Sequence, residues 1–141
     1  MKKQFRTTIR HHVFKMIYQF EIMDDDFAKI PEIYWLSENV KNKNVISQAN
    51  EMFLNIAKNK DFLDNLYKNK LKDGWTFDRL GTIEKCILRA ALHELLNTGT
   101  PIYVINNDYG ELAKEYADEK IASFVRGIVA SVEQEIGDRQ R

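Results

Sequence analysis

The stretch DRLGTIEKCILRAALHELLN, residues 78–97, decides the fold class of this chain. Its apolar side chains recur at steps of three and four residues, which is the spacing of an amphipathic α-helix and not the alternation of a strand. We predict one helix over residues 78–97. Its inner face is expected to carry Leu80, Ile83, Ile87, Ala91 and Leu95.

Helical spacing also recurs on both sides of this stretch, and no segment shows sustained two-residue alternation. The acidic run at residues 24–26 can cap a second helix, in which Pro31 fits only near the first turn. Gly74 suits a left-handed helix stop, and Pro101 suits a helix start. We predict an all-α globular domain of seven helices, over residues 3–23, from the acidic run to residue 36, and over 45–58, 62–71, 78–97, 103–116 and 121–136.

Length and composition restrict the class of protein. A chain of 141 residues with 44% hydrophobic residues fits one domain with a core of its own. Cys86 is the single cysteine, so an intrachain disulfide is impossible, which favours a reducing compartment. No apolar run approaches the roughly 18 residues that a membrane span needs. We therefore expect a cytoplasmic protein that does not enter a membrane.

The positive charge is concentrated at one end. The chain is neutral, with 21 Lys and Arg against 21 Asp and Glu. The first twenty residues carry no carboxylate and five basic side chains, which are Lys2, Lys3, Arg6, Arg10 and Lys15. A local basic block attracts a polyanion, whereas global neutrality argues against a protein that coats nucleic acid indiscriminately.

Lys3, Arg6 and Arg10 are expected to form one stripe, because roughly 100° per residue places them within a narrow sector beside the apolar face. Phe14 and Tyr18 continue past this stripe. Cations that neutralise phosphates and rings that stack on unpaired bases together suit single-stranded RNA. The alternative is a solvated basic flank, with Phe14 and Tyr18 packed under another helix.

Four segments in order carry a resemblance to a known family. They are residues 78–96, the stretch from Pro101 through ND at 107–108 to ELAK at 111–114, FVRG at 124–127, and Arg10 followed by YQ at 18–19. In this order and at these separations the chain resembles the NusB family of bacterial transcription antitermination factors, over essentially its whole length. The resemblance implies a NusB-like fold, with seven helices in two packed halves that form a single RNA-binding domain over residues 1–141.

The resemblance also implies partners. Proteins of this family bind the boxA element of nascent ribosomal RNA together with the small-subunit ribosomal protein NusE, and they join other Nus factors on RNA polymerase. The implied RNA-binding residues are Lys2, Lys3, Arg6, Arg10, Lys120, Ser123 and Phe124. The implied NusE-facing residues are Tyr18, Asp78 and Glu84. Carboxylates that face a basic ribosomal protein would set the encounter rate and partner choice.

Several of these positions have a structural interpretation as well. Gly127 is expected to permit a close helix crossing. Phe124 fits either a core position or a ring that meets an RNA base. Arg126 stands where the family usually has asparagine, and it adds a cation if exposed or needs a carboxylate if buried. Thr7 and Thr8 stand where the family often has arginines, which removes phosphate contacts from that turn.

No catalytic motif, metal site or cofactor site is expected. His11 and His12 point about 100° apart on a helix, and His93 is distant in sequence, so the three do not suggest a metal site. Cys86 is expected to be a small core residue. We conclude that the chain is not an enzyme.

Two alternatives remain open. A helical protein–protein scaffold could use the basic edge to bind an acidic partner. The fold also occurs as the RNA-binding front of ribosomal RNA methyltransferases, for whose catalytic domain 141 residues leave no room. The sequence does not decide whether the free protein is a monomer or a homodimer.

Overall fold

The described part of the chain is mostly helical and contains no strand. The computed structural model describes the backbone of residues 2–72 and 74–139 and the side chains of residues 5–72 and 74–137. The α-helices are α1 Lys2–Met23, α2 Ile30–Tyr34, α3 Lys43–Lys58, α4 Lys60–Lys68, α5 Thr82–Asn97, α6 Ile102–Tyr116 and α7 Glu119–Arg139. Three short 3₁₀ helices accompany them, Phe27–Lys29, Trp35–Ser37 and Phe77–Arg79. The all-α prediction with seven α-helices is therefore confirmed.

The chain divides into two compact units, residues 1–59 and residues 60–141. In the first unit, α1 packs along α3 and α2. Its core includes Val13, Met16 and Phe53, and the Phe20 ring meets Phe53 edge to face at 6.1 Å between centroids. Such aromatic pairs add to the free energy gained from burial alone.

The second predicted helix is in fact three short pieces. Asp26 begins the first piece, because its carboxylate accepts the backbone N–H of Ala28 at 3.1 Å. Pro31 lies in the first turn of α2, where its missing N–H costs no hydrogen bond. The acidic cap is confirmed, whereas the single continuous helix to Leu36 is wrong.

In the second unit, α5 packs against α4, α6 and α7. All nine residues from Cys86 to Glu94 are buried, so the expectation of a single inner face is wrong. Leu88 and Leu92, which were not among the predicted inner-face residues, are fully buried, and each such burial contributes about 1.5–3 kcal/mol. The buried Cys86 confirms the expected core cysteine.

The start of α5 also differs from the prediction. Leu80 and Gly81 are extended, with ψ of 141° and 161°, so the continuous helix from residue 78 is interrupted. Leu80 is nevertheless buried, as the spacing indicated. Gly74 has φ +86° and open space around it, which confirms a left-handed turn after α4.

A charged pair lies inside the second unit. Arg89 on α5 donates from Nε to Asp64 Oδ1 at 2.8 Å and from its Nη2 to Oδ2 at 2.9 Å. The side chains are 2% and 5% exposed. Tyr67 donates a further hydrogen bond to Asp64 at 3.3 Å. Burial and the Asp64 charge raise the pKa of Tyr67 far above its usual range, so this hydroxyl remains a donor.

Gly110 of α6, and not Gly127, lies at a close approach. A Cβ on Gly110 would come within 2.5–2.8 Å of the Arg126 guanidinium on α7. A Cβ on Gly127 would meet nothing within 4 Å. The expected close crossing at Gly127 is therefore wrong, because this residue faces solvent. In the described residues, no helix combines the length and hydropathy required to cross a membrane.

Candidate nucleic-acid interface

The basic segment of α1 has fewer exposed cations than its sequence suggests. Arg6 is exposed, and the side chains of Lys2 and Lys3 lie outside the described residues. Arg10 is only 4% exposed, so its expected place on a solvent-facing stripe is wrong. The reason is that Val13 and Phe14, which follow Arg10 by three and four residues and share its side of the helix, are buried too.

The aromatic continuation of the stripe is also divided. Phe14 is 2% exposed and Tyr18 is 40% exposed, with 6.4 Å between the ring centroids. The Phe14 ring therefore belongs to the core, as the alternative interpretation had it, and Tyr18 reaches solvent. Of this pair, Tyr18 is the ring that an RNA base or a partner protein can meet.

The first twenty residues contain no carboxylate, but in the folded chain a carboxylate from outside them pairs with one of their cations. Glu38 accepts a hydrogen bond from the Lys15 ammonium at 3.1 Å. His12 Nδ1 lies 2.7 Å from the Tyr34 hydroxyl, and burial lowers the pKa of His12 although the Glu38 charge opposes the change. Lys15 and His12 are thus occupied within the first unit.

The start of α7 presents the second group of predicted residues. The Asp118 carboxylate accepts the backbone N–H of Ile121 at 2.9 Å, which fixes the first turn. Ser123 and Phe124 follow Lys120 by three and four residues, so both lie next to it on the helix surface. Lys120 and Ser123 are exposed and Phe124 is partly buried. The structure brings these three predicted residues together.

Trp75 also lies at this face, although it was not among the site residues predicted from the sequence. Its ring stacks on Phe124, with 4.7 Å between centroids and 14° between planes. The Lys120 ammonium lies over the Trp75 ring, 5.9 Å from its centroid. The sequence signal that could have indicated Trp75 is its place directly after the turn glycine Gly74, because an aromatic residue outside every predicted helix has no predicted core position.

The two carboxylates at this helix start do not cancel Lys120. Asp118 caps the helix, and Glu119 pairs with Lys114 at 3.3 Å and with Arg126 at 3.3 Å. The hydrogen bond from Lys114 is the largest cause of the lowered pKa of Glu119. Lys120 has no ion-pair partner among the described residues and remains available to an anion.

Arg126 resolves the alternatives that the sequence left open. Its side chain is 33% exposed and it does find a carboxylate, that of Glu119. It also donates from Nε to the Asn106 carbonyl at 3.4 Å and lies against Gly110. This guanidinium joins α6 to α7, so its charge is largely committed within the protein.

The three expected NusE-facing residues have different environments. Tyr18 and Asp78 are exposed. Glu84 is partly buried and accepts the backbone N–H of Gly81 at 2.7 Å. This hydrogen bond satisfies a donor before the first turn of α5, so Glu84 has a structural role whatever it contacts outside the chain.

The histidines form no cluster. His93 is 8% exposed, and burial lowers its pKa while the Glu94 charge opposes the change. The described residues contain no group of three His, Cys, Asp or Glu side chains that could hold a metal ion. The neighbouring Glu94 is engaged within the protein, because Tyr109 of α6 and Thr100 in the connection between α5 and α6 donate hydrogen bonds to it.

Comparison with known proteins identifies the family. The family model of the NusB family matches residues 7–134. The chain belongs to the NusB family. This is a non-enzymatic family of transcription antitermination factors, which agrees with the predicted absence of an enzyme.

Relatives and solved structures cover nearly the whole chain. The transcription antitermination protein NusB of Fusobacterium nucleatum is 30% identical over 132 residues, covering 89% of this chain and 86% of the relative. That of Helicobacter pylori strain Shi470 is 31% identical, covering 95% and 96%.

Solved NusB structures are similar in fold. T. maritima NusB has a TM-score of 0.80 and 32% identity, covering 92% of this chain and 91% of that chain. A chain from the crystal structure of the antitermination factors NusB and NusE in complex with dsRNA has a TM-score of 0.83 and 25% identity, covering 94% and 98%.

Proposed function

We propose that this NusB-family chain binds the boxA element of nascent ribosomal RNA, as a single strand, together with NusE. In this proposal the two units act as one RNA-binding domain in the cytoplasm, where the complex joins other Nus factors on RNA polymerase. Support comes from the family assignment and from a similar chain solved with NusE and dsRNA. The free chain is proposed to be either a monomer or a homodimer, which sedimentation distinguishes.

The observation that carries the proposal is the composition of the α7 start. Lys120 and Ser123 are exposed beside the partly exposed Phe124 ring, and neighbouring carboxylates are occupied by the helix cap and by Lys114 and Arg126. A phosphate can meet the ammonium, a base can stack on a ring, and the hydroxyl can donate or accept a hydrogen bond. These are the groups that recognition of single-stranded RNA requires.

On α1 the proposal rests on Arg6, with Lys2 and Lys3 as further candidates. Each phosphate contact with a single strand contributes about 0.7 to the slope of log affinity against log salt. The buried Arg10 is proposed to position the helix from inside and not to contact phosphate directly, because only 4% of it is exposed.

For NusE, we propose a surface that includes Tyr18, Asp78 and Glu84. Tyr18 and Asp78 are exposed as such a role requires. If one complex holds both RNA and NusE, each must change the affinity for the other by the same factor. This reciprocity makes the NusE assignment measurable through RNA binding as well as directly.

The test is a titration of the full chain with a labelled boxA-type single strand and with a scrambled strand of equal length, each with and without NusE. We expect tighter binding of the boxA-type strand, a steep loss of affinity with salt, and a further gain with NusE. Equal and weak affinity for both strands, unchanged by NusE, would contradict the proposal and favour the protein–protein scaffold.

A further inference from the structure

Trp75 lies beside the start of α7 and is not among the residues proposed above to bind RNA. It follows the left-handed Gly74, and its backbone N–H donates to the Lys72 carbonyl at 2.9 Å, which closes a tight turn. Its ring is parallel to that of Phe124 on the start of α7. The turn and the stack together hold the indole in place before any ligand arrives.

The two tryptophans differ in how their indole N–H groups are satisfied. Trp35 donates from Nε1 to Asn50 Oδ1 at 2.6 Å, as a packed tryptophan does. Within the described residues Trp75 has no hydrogen-bond acceptor for its Nε1. That nitrogen is also not a buried polar atom without a partner, so its N–H reaches solvent. This accessible N–H, on a partly buried ring beside a lysine, is available to an external acceptor.

We infer that Trp75 contacts RNA directly, with its ring and that of Phe124 forming a two-ring platform that one unpaired base extends by stacking. This inference rests on the proposed RNA function and adds the residue that completes the surface. The Lys120 ammonium beside the Trp75 ring is placed to meet the phosphate of the stacked nucleotide. The exposed N–H of the indole donates to a base or phosphate oxygen.

Preorganisation explains why tryptophan serves here. A ring already ordered by a turn and a stacking partner loses little conformational entropy on binding, so more of the stacking energy appears as affinity. Every base has a π face, so the platform itself is tolerant of sequence. It therefore adds affinity for unpaired RNA, whereas selection of boxA falls to other contacts.

Fluorescence separates stacking from charge attraction. In a Trp35→Phe variant, Trp75 is the one remaining tryptophan of the two in the sequence. We expect a boxA-type single strand to quench its emission on binding, and inorganic polyphosphate at matched occupancy to leave the emission unchanged. Equal quenching by both ligands would overturn the inference, because it would report charge or a conformational change instead of a stacked base.

The RNA affinities of substituted chains provide a second test. Trp75→Leu should weaken RNA binding about 5- to 150-fold, the range found for loss of one base–aromatic stack, and Trp75→Phe should recover most of the loss. Tyr103→Leu is the control, since Tyr103 is an exposed ring, 74% accessible, on α6. Circular dichroism confirms that the variants compared are folded.

The outcomes distinguish this inference from the function on which it rests. Tight RNA binding by the wild type with unchanged affinity of Trp75→Leu and no quenching would overturn the role of Trp75 and leave the proposed function intact. Absence of RNA binding by the wild type would overturn both. Loss of affinity in both Trp75→Leu and Trp75→Phe with full quenching in the Trp35→Phe background would still support contact, with the N–H as the main contribution.

Discussion

Glu84→Lys is expected to lower the stability of the free chain, whatever its effect on partner binding. The substitution removes the acceptor for the Gly81 N–H, now at 2.7 Å, which costs about 1 kcal/mol. It also replaces a favourable charge at the start of α5 with an unfavourable one, each worth about 0.3–1 kcal/mol. The free energy of unfolding should fall by about 1.5–3 kcal/mol, and the Tm by roughly 3–12 °C.

Glu84→Gln separates the cap from the charge. The amide oxygen can still accept from Gly81, so the loss should be only about 0.3–1 kcal/mol. Thermal unfolding of both variants measures the stability effect, and calorimetry with NusE measures the role of the charge. If Glu84 meets NusE, both variants bind it more weakly; if Glu84 only caps α5, Glu84→Gln binds as the wild type does. Equal Tm values for the two variants would refute the capping argument.

The structure suggests four further single substitutions. Arg6→Ala should leave the Tm nearly unchanged and reduce the salt slope of RNA binding by about 0.7. Arg10→Ala should instead cost on the order of 2 kcal/mol of stability, because the side chain is buried. Salt titrations and unfolding curves of both variants test these two expectations. Arg89→Met should cost about 3–5 kcal/mol in urea unfolding because it strands the Asp64 charge, and adding Asp64→Leu should restore much of the loss. Burial lowers the pKa of His93 from 6.5, so the stability that its buried neutral ring contributes is present above that pH and is lost as the pH falls below it. His93→Gln should flatten this part of the profile of stability against pH.

The helices were predictable because their apolar spacing is regular over many residues. The predicted and observed first residues of the first, third and sixth helices differ by one or two positions, which is within ordinary fraying, and their last residues coincide. Periodicity failed for α5, since it shows where apolar side chains recur and not how many neighbours surround a helix. Burial of Arg89 and His93 on its remaining faces depends on partners such as Asp64, which lies 25 residues away.

The residues of the candidate site came from the family resemblance, and local spacing explains only why those that are close in sequence lie together. Lys120, Ser123 and Phe124 lie next to one another by their spacing alone. Trp75 and Phe124 are 49 positions apart in the sequence and meet only through tertiary folding, so local spacing could not pair them. Arg10 shows the opposite error, because a helical wheel gives a direction but not the width of the sector that neighbouring helices cover.

The positive charge that stays unpaired in the folded chain is distributed differently from the positive charge along the sequence. The first twenty residues lack any carboxylate, yet Glu38 pairs with Lys15 and Arg10 is buried, so Arg6 is the one cation of this segment that the described side chains leave exposed and unpaired. The start of α7 carries two adjacent carboxylates and looks unfavourable for an anion by sequence. Folding engages both, in a cap and in pairs with Lys114 and Arg126, while Lys120 stays available. What attracts a polyanion is the charge left over after internal pairing, and by that measure the start of α7 belongs in the proposed RNA surface as much as α1 does.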